Sequence, residues 1–289
     1  MSQNVLWYFF IYAFLGWCIE VVYTAGTTGR FVNRGFLNGP LCPVYGIGFI
    51  LVISILEPVK NNMIYMFLGA MLLASLLELI TGYILERIFK QKWWDYSDKP
   101  FNLGGYICLL FSIRWGLACL IMVDRVHPHV AFGVSTIPTS LGKIILTLLL
   151  LIFLVDFLAT IQTVMKLNHK LKIMDEAALK ISYASESLGE NLAKGTLNLI
   201  QKKDELGEVL ENKKTALRDD LTELREAKEK AFIHRKQVLG ELQESYAKIQ
   251  KKTHFGQERL FKAFPALRSI NNHEALEKIK HIASKKEKS

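Results

Sequence analysis

The chain lacks most of what would mark it as an enzyme. No G-x-x-x-x-G-K-[ST] string occurs, and the nearest approach, Leu141-Gly142-Lys143-Ile144, lacks both the first glycine and the hydroxyl. Any ATP chemistry would therefore have to come from another polypeptide. H-E-x-x-H, G-x-S-x-G and paired CxxC are absent too, so no enzymatic activity, no cofactor and no metal are expected. His127-Pro128-His129 reads as a polar outer loop rather than a ligand pair. There are four cysteines in 289 residues. Cys18, Cys42, Cys108 and Cys119 sit in or beside apolar segments, as small buried hydrophobes do, and not in a disulfide pattern.

Charge is also scarce in the first part of the chain. Only ten Lys+Arg and eight Asp+Glu precede residue 165, against totals of 36 and 27. The remaining 26 bases and 19 acids are interleaved, whereas a nucleic-acid surface would concentrate one sign, so no nucleic-acid partner is expected. No Lys or Arg precedes the first apolar run, which makes that run a first span rather than a signal peptide.

What is present is hydrocarbon. A mean hydropathy of +0.20 averages an apolar front half and a charged tail. A bilayer core needs about 20 apolar residues in a helix. Five stretches approach this: Asn4 to Thr24, Phe36 to Leu56, Met63 to Ile88, Leu103 to Val123 and Ser140 to Val164. The expected class is all-α: a polytopic bundle of about five spans over 1–165, a cytoplasmic helical or coiled-coil region over 166–252, and a basic, partly disordered tail over 253–289.

With a cytoplasmic C-terminus and five spans, the inner loops hold Arg30 and Arg34, then Arg87, Lys90, Lys92 and Lys99. The outer loops hold only Lys60, Arg125 and Lys143. That bias places the N-terminus outside. Six spans with a re-entrant loop is the competing topology. The Gly- and Pro-rich run Phe36 to Gly46 reads either as a broken start to the second span or as a loop whose helix begins late, at Pro43.

Glu20, Glu78, Glu86, Arg114 and Asp156 fall inside the apolar runs, where an unpaired charge costs several kcal/mol. At about 1.5 Å per residue, Arg114 lies about 16 Å and Glu78 about 15 Å from the cytoplasmic ends, and Glu20 about 6 Å. Arg114 and Glu78 are therefore expected to pair. Tyr8, Tyr12, Gly16 and Glu20 recur every fourth residue and suit the bundle interior. These charges either lock helices together or line a pathway, and Glu20, Arg34, Glu78 and Arg114 are the candidate pathway residues.

Two inner loops are unusually rich. Lys92 to Ser97, K-W-W-D-Y-S, reads as an interfacial aromatic belt, except that Asp95 sets a carboxylate among the rings, either to accept from Arg34 or to cap the next turn of chain. The strings Phe10 to Glu20 (F-I-Y-A-F-L-G-W-C-I-E), Asn33 to Gly46 (N-R-G-F-L-N-G-P-L-C-P-V-Y-G), Leu77 to Gly82 (L-E-L-I-T-G) and Trp93 to Ser97 together resemble a bacterial membrane family, the Putative ABC-transporter type IV or CmpB-like permeases. The resemblance covers roughly residues 5 to 160. It implies a permease with a separate ATPase subunit, in the bacterial inner membrane. Its motif positions here are Glu20, Asn33, Arg34, Gly35, Gly39, Pro40, Pro43, Tyr45, Gly46, Glu78, Trp94, Asp95 and Tyr96, of which the loop members form the expected cytoplasmic gate.

From Lys166 to Lys252 there is no proline, which favours long helix. Leu210, Leu217, Leu224, Ala231 and Val238 make one heptad line. The second contains Lys214, Lys228 and Arg235 beside Leu221 and Leu242, a weak coiled coil suited to a partner or to self-association. Residues 281–289 are expected to be disordered. Two functions fit: a permease with a polar intramembrane cavity open to the cytoplasm, or a non-transporting membrane anchor whose coiled coil scaffolds other proteins.

Overall fold

The structure, a computed structural model, describes residues 3–205, 214–251 and 256–286. Most of this is helix, with only four two-residue strands among the described residues. The chain divides into two units, Met1–Asn168 with Thr253–Leu276, and His169–Lys252 with Glu277–Ser289.

The first unit opens with α1 (Gln3–Thr28), α2 (Pro43–Leu56) and α3 (Met63–Phe89). Pro43 stands in the first turn of α2, where its missing N–H costs nothing. The helix thus starts late, and residues 29–42 form an irregular loop. Asn62 caps α3 by accepting from Ile64 N and Tyr65 N, and Lys90 closes it in the left-handed conformation. Then α4 (Leu109–Ile121) passes through a π-turn (Met122–Val126) into α5 (His127–Ser135). Pro128 cannot donate to the Asp124 carbonyl, and its ring crowds that turn. The ladder widens there, with His127 N donating to Met122 O.

α1 packs on α2, and α3 on both α2 and α4. Tyr12, Phe49, Val52, Leu56, Met66, Ala70, Cys119 and Met122 form the core between them. The fourfold face of α1 does turn inward: Tyr12 and Gly16 are buried, and Tyr8 and Glu20 half-buried. Tyr12 Oη lies 2.7 Å from His127 Nδ1, tying α1 to α5. At Gly16 any side chain would overlap the Tyr45 ring, so glycine admits α2 against α1 at this level.

α6 (Thr139–Glu205) runs for 67 residues, about 100 Å at 1.5 Å per residue. Three helices are long and apolar enough to cross a membrane: Gln3–Thr28, Met63–Phe89 and the Thr139–Glu186 part of α6. Only 22, 11 and 11% of their apolar windows is buried within the protein, so their outer faces expose hydrocarbon that lipid would cover. The apolar helix Pro43–Val59 is shorter.

Between α3 and α4 lie β1 (Gln91–Lys92) and a small hairpin of β2 (Asn102–Leu103) and β3 (Ile107–Cys108), turned by Gly104 and Gly105 at positive φ. Trp93 is buried (3% exposed) against Phe36, Phe89 and Phe264, which is not the place of an interfacial belt ring. The unit is completed from the far end of the chain. α8 (Gln257–Ala263) and β4 (Arg268–Ser269) return to it, β4 pairing antiparallel with β1.

In the second unit, Lys170 Nζ donates to Gln250 O, joining α6 to the end of α7 (Lys214–Lys251). Leu171 and Met174 are fully buried there. The last helix, α9 (His273–Lys286), reaches Lys286, whereas the sequence predicts disorder from 281 onward. Of the heptad line, Leu210 lies outside the described residues, as do the side chains of Leu217, Leu224 and Ala231, while Val238 is 38% exposed.

The Gly16 contact yields a test. Gly16→Val should push Tyr45 off α1 and lower stability by about 1–3 kcal/mol, read as a lower melting temperature of the detergent-solubilised protein.

Candidate functional site

Two carboxylates meet tyrosine hydroxyls inside the helix bundle. Tyr45 Oη, one turn into α2, donates to Glu20 Oε1 on α1 at 2.5 Å. The other oxygen, Glu20 Oε2, lies 3.5 Å from Arg34 Nε, which reaches in from the loop. Tyr96 Oη donates to Glu78 Oε1 on α3 at 3.2 Å. Glu78 Oε2 is buried and has no hydrogen-bond partner among the described residues.

The halves form one electrostatic group: Glu20 acts on Glu78 and Tyr96, and both carboxylates act on Tyr45. Aromatic rings wall it, with Tyr45 against Trp115 at 5.2 Å between centroids and Tyr96 stacked on Phe111 at 4.7 Å. Chemically, the group offers two carboxylates against one guanidinium, with two phenol hydroxyls as hydrogen-bond donors.

Arg114 does not join it. The expected pair with Glu78 is not formed: Arg114 is exposed and its guanidinium lies 5.2 Å over the Phe111 ring. The inward stripe of α4 is Ser112, Gly116 and Cys119, and Ser112 accepts from Ser75 Oγ at 2.7 Å. Arg114 stands two residues from Ser112, about 200° around the helix. Its place around the α4 axis turns it away from the group.

The loop of residues 29–42 has no ladder, so its backbone groups find side chains. Asn33 Oδ1 accepts from Trp17 Nε1 at 2.8 Å and Gly35 N at 3.2 Å, and Asn33 Nδ2 donates to Asn38 O at 2.6 Å. Asp156, on α6, takes the amides of Asn38 (3.1 Å) and Gly39 (2.7 Å) and the Asn38 side chain (3.0 Å). Pro40 is exposed on the loop. Asp156 was visible as an intramembrane charge, but its role was not.

In the second motif, Trp94 Nε1 donates to Tyr106 O at 2.8 Å. Asp95 accepts from Lys92 Nζ and Ser97 N, each at 3.0 Å, and from Ser97 Oγ at 2.5 Å. It therefore caps its own turn and does not meet Arg34. Burial pushes the Asp95 carboxyl up, and the bonds from Ser97 and Lys92 outweigh it, holding the group below the ordinary carboxylate range. Among the described residues no His, Cys, Asp and Glu group could hold a metal.

Long apolar helices with lipid-ready outer faces, enclosing carboxylates met by tyrosine hydroxyls, define a helical membrane protein. The chain belongs to the Putative ABC-transporter type IV family, whose model matches residues 7–161. No curated protein and no solved structure matches it. The matched region contains Glu20, Arg34, Tyr45, Glu78, Tyr96, Arg114 and Asp156, and ends well before α8.

Replacing the two in-span charges should separate their roles. Asp156→Ala strands the Asn38 and Gly39 amides and should cost about 2 kcal/mol or more. Arg114→Leu should leave stability within about 0.5 kcal/mol. Parallel thermal melts in one detergent compare them; a larger loss for Arg114→Leu would contradict this geometry.

Proposed function

We propose that the protein is the membrane-spanning permease component of an ABC transporter, crossing a bacterial inner membrane five times through α1, α2, α3, α4 and the first part of α6. The N-terminus is outside and the C-terminus cytoplasmic, in keeping with the basic residues of the loops at 29–42 and 90–99. The chain performs no catalysis itself, and a separate ATPase subunit supplies ATP hydrolysis.

The observation that carries this reading is the Glu20–Tyr45–Arg34 and Glu78–Tyr96 group. A bundle needing only to anchor itself would bury apolar contacts there, since charges at membrane depth cost several kcal/mol unless paired or hydrated. Glu78 Oε2 is buried and lacks a hydrogen-bond partner among the described residues, an unmet acceptor that a bound solute or water would satisfy. The group lines a polar cavity open to the cytoplasm, with the loop at 33–43 and Trp94-Asp95-Tyr96 as its gate.

A second reading, a non-transporting anchor that scaffolds partners or self-associates through its tail, draws on α7 and on the part of α6 after residue 161, long helix that lies beyond the family match. The two are separated by purification from native membranes with mass spectrometry and by variants in the cell. The permease reading expects an ATPase subunit in stoichiometric amount, and loss of function in Glu20→Gln and Glu78→Gln with normal membrane levels. Function retained in both variants but lost on deleting residues 170–252 would instead establish the anchor.

A further inference from the structure

The loop bearing Arg34 is held from two sides, and one of them is contributed by the far end of the chain. Asp156 takes its amides. Its carbonyls are taken by Arg259 on α8. Arg259 Nη1 donates to Gly35 O at 2.8 Å, Nη2 to Phe36 O at 2.9 Å and Nε to Asn38 Oδ1 at 3.2 Å. All three nitrogens of the planar fork are thereby used on one turn, a geometry that lysine cannot reproduce. Asn38 is shared, its side chain donating to Asp156 and Thr160 and accepting from Arg259.

The segment carrying Arg259 is firmly seated. Gly256 starts α8 at φ +88°, a conformation other residues rarely take. Leu260, Phe261 and Leu267 are buried. The Phe264 ring meets Trp93 edge-on at 4.9 Å, β4 pairs with β1, and Ile270 N donates to Lys90 O at 3.1 Å. Both inner loops are thus touched by one stretch, residues 257–270, that lies outside the family match.

We propose that Arg259 is a positioning residue for the intramembrane site. It fixes the turn at 35–38, and so sets Arg34, one residue earlier, against Glu20. Through it the C-terminal segment governs a site built by the first 161 residues. A site whose guanidinium hangs on a clamped turn is formed when α8 is docked and loosened when α8 leaves. This deepens the permease reading and rests on it for its consequence, but not for its geometry.

Native thiols report the turn. Cys42 is 7% exposed beside the loop and feels the Arg259 charge, while Cys119 is buried in the core. Labelling of the full-length protein in inverted membrane vesicles by a soluble maleimide is followed at each cysteine by mass spectrometry. Arg259→Ala should speed Cys42 labelling about tenfold or more relative to Cys119, with Arg259→Lys in between. In melts, Glu20→Gln should cost less in the Arg259→Ala background than alone, because the Arg34 it meets is already loose. If Arg259→Ala fails to assemble, Arg259→Gln is read the same way. Cys42 unchanged, Cys42 and Cys119 rising equally, or additive melts would each overturn the proposal. None of these outcomes bears on whether an ATPase subunit co-purifies.

Discussion

Backbone amides and carbonyls that lack a helix or sheet ladder must be received by other groups of the protein or by water, and the protein receives them in the loop of residues 29–42. It follows a long apolar helix, contains three glycines between Gly29 and Gly39, and forms no ladder. Its order comes from side chains sent from elsewhere: Asn33 within, Asp156 from α6, Arg259 from α8. Each makes charged or amide bonds in part-buried surroundings, where such bonds are stronger than in open water. The position of Arg34, and with it the environment of Glu20, depends on this scaffold.

The polar interior follows the same logic. Carboxylates do not sit in hydrocarbon alone. Glu20 has a phenol and a guanidinium, and Glu78 has a phenol. Aromatic rings then supply the shape, since Tyr45 and Tyr96 each lie against a ring of α4. Gly16 makes the arrangement possible by letting Tyr45 lie on α1. A small residue in one helix and a hydroxyl-bearing ring in the next together bring an acid of the first helix into a hydrogen bond.

Much of this was legible in the residues. The apolar runs locate α1, α3 and the start of α6, the fourfold repeat from Tyr8 to Glu20 gives the inward face of α1, and of the two starts open for the second span the structure takes the late one, at Pro43. The family resemblance was carried by strings that the structure places around one polar group. Pairing across helices was less legible. Depth follows from counting residues, but rotation about the helix axis does not, and so Arg114 was matched with Glu78 when Ser112 holds the inward place. Asp95 looked like a partner for Arg34 because both are loop charges, yet it is spent on its own turn. Arg259 gave no local sign at all: it is one of 26 bases in a charged tail, and only the return of α8 distinguishes it.

α6 passes from Thr139 through Asp156 and on to Glu205 without a break. An uninterrupted helix keeps strict count. One residue added or removed between the start of α6 and Asp156 would swing the carboxylate by about 100° around the axis, away from the two amides it holds. That stretch should therefore resist insertions and deletions even where its apolar residues interchange freely, so its length is under tighter constraint than its composition.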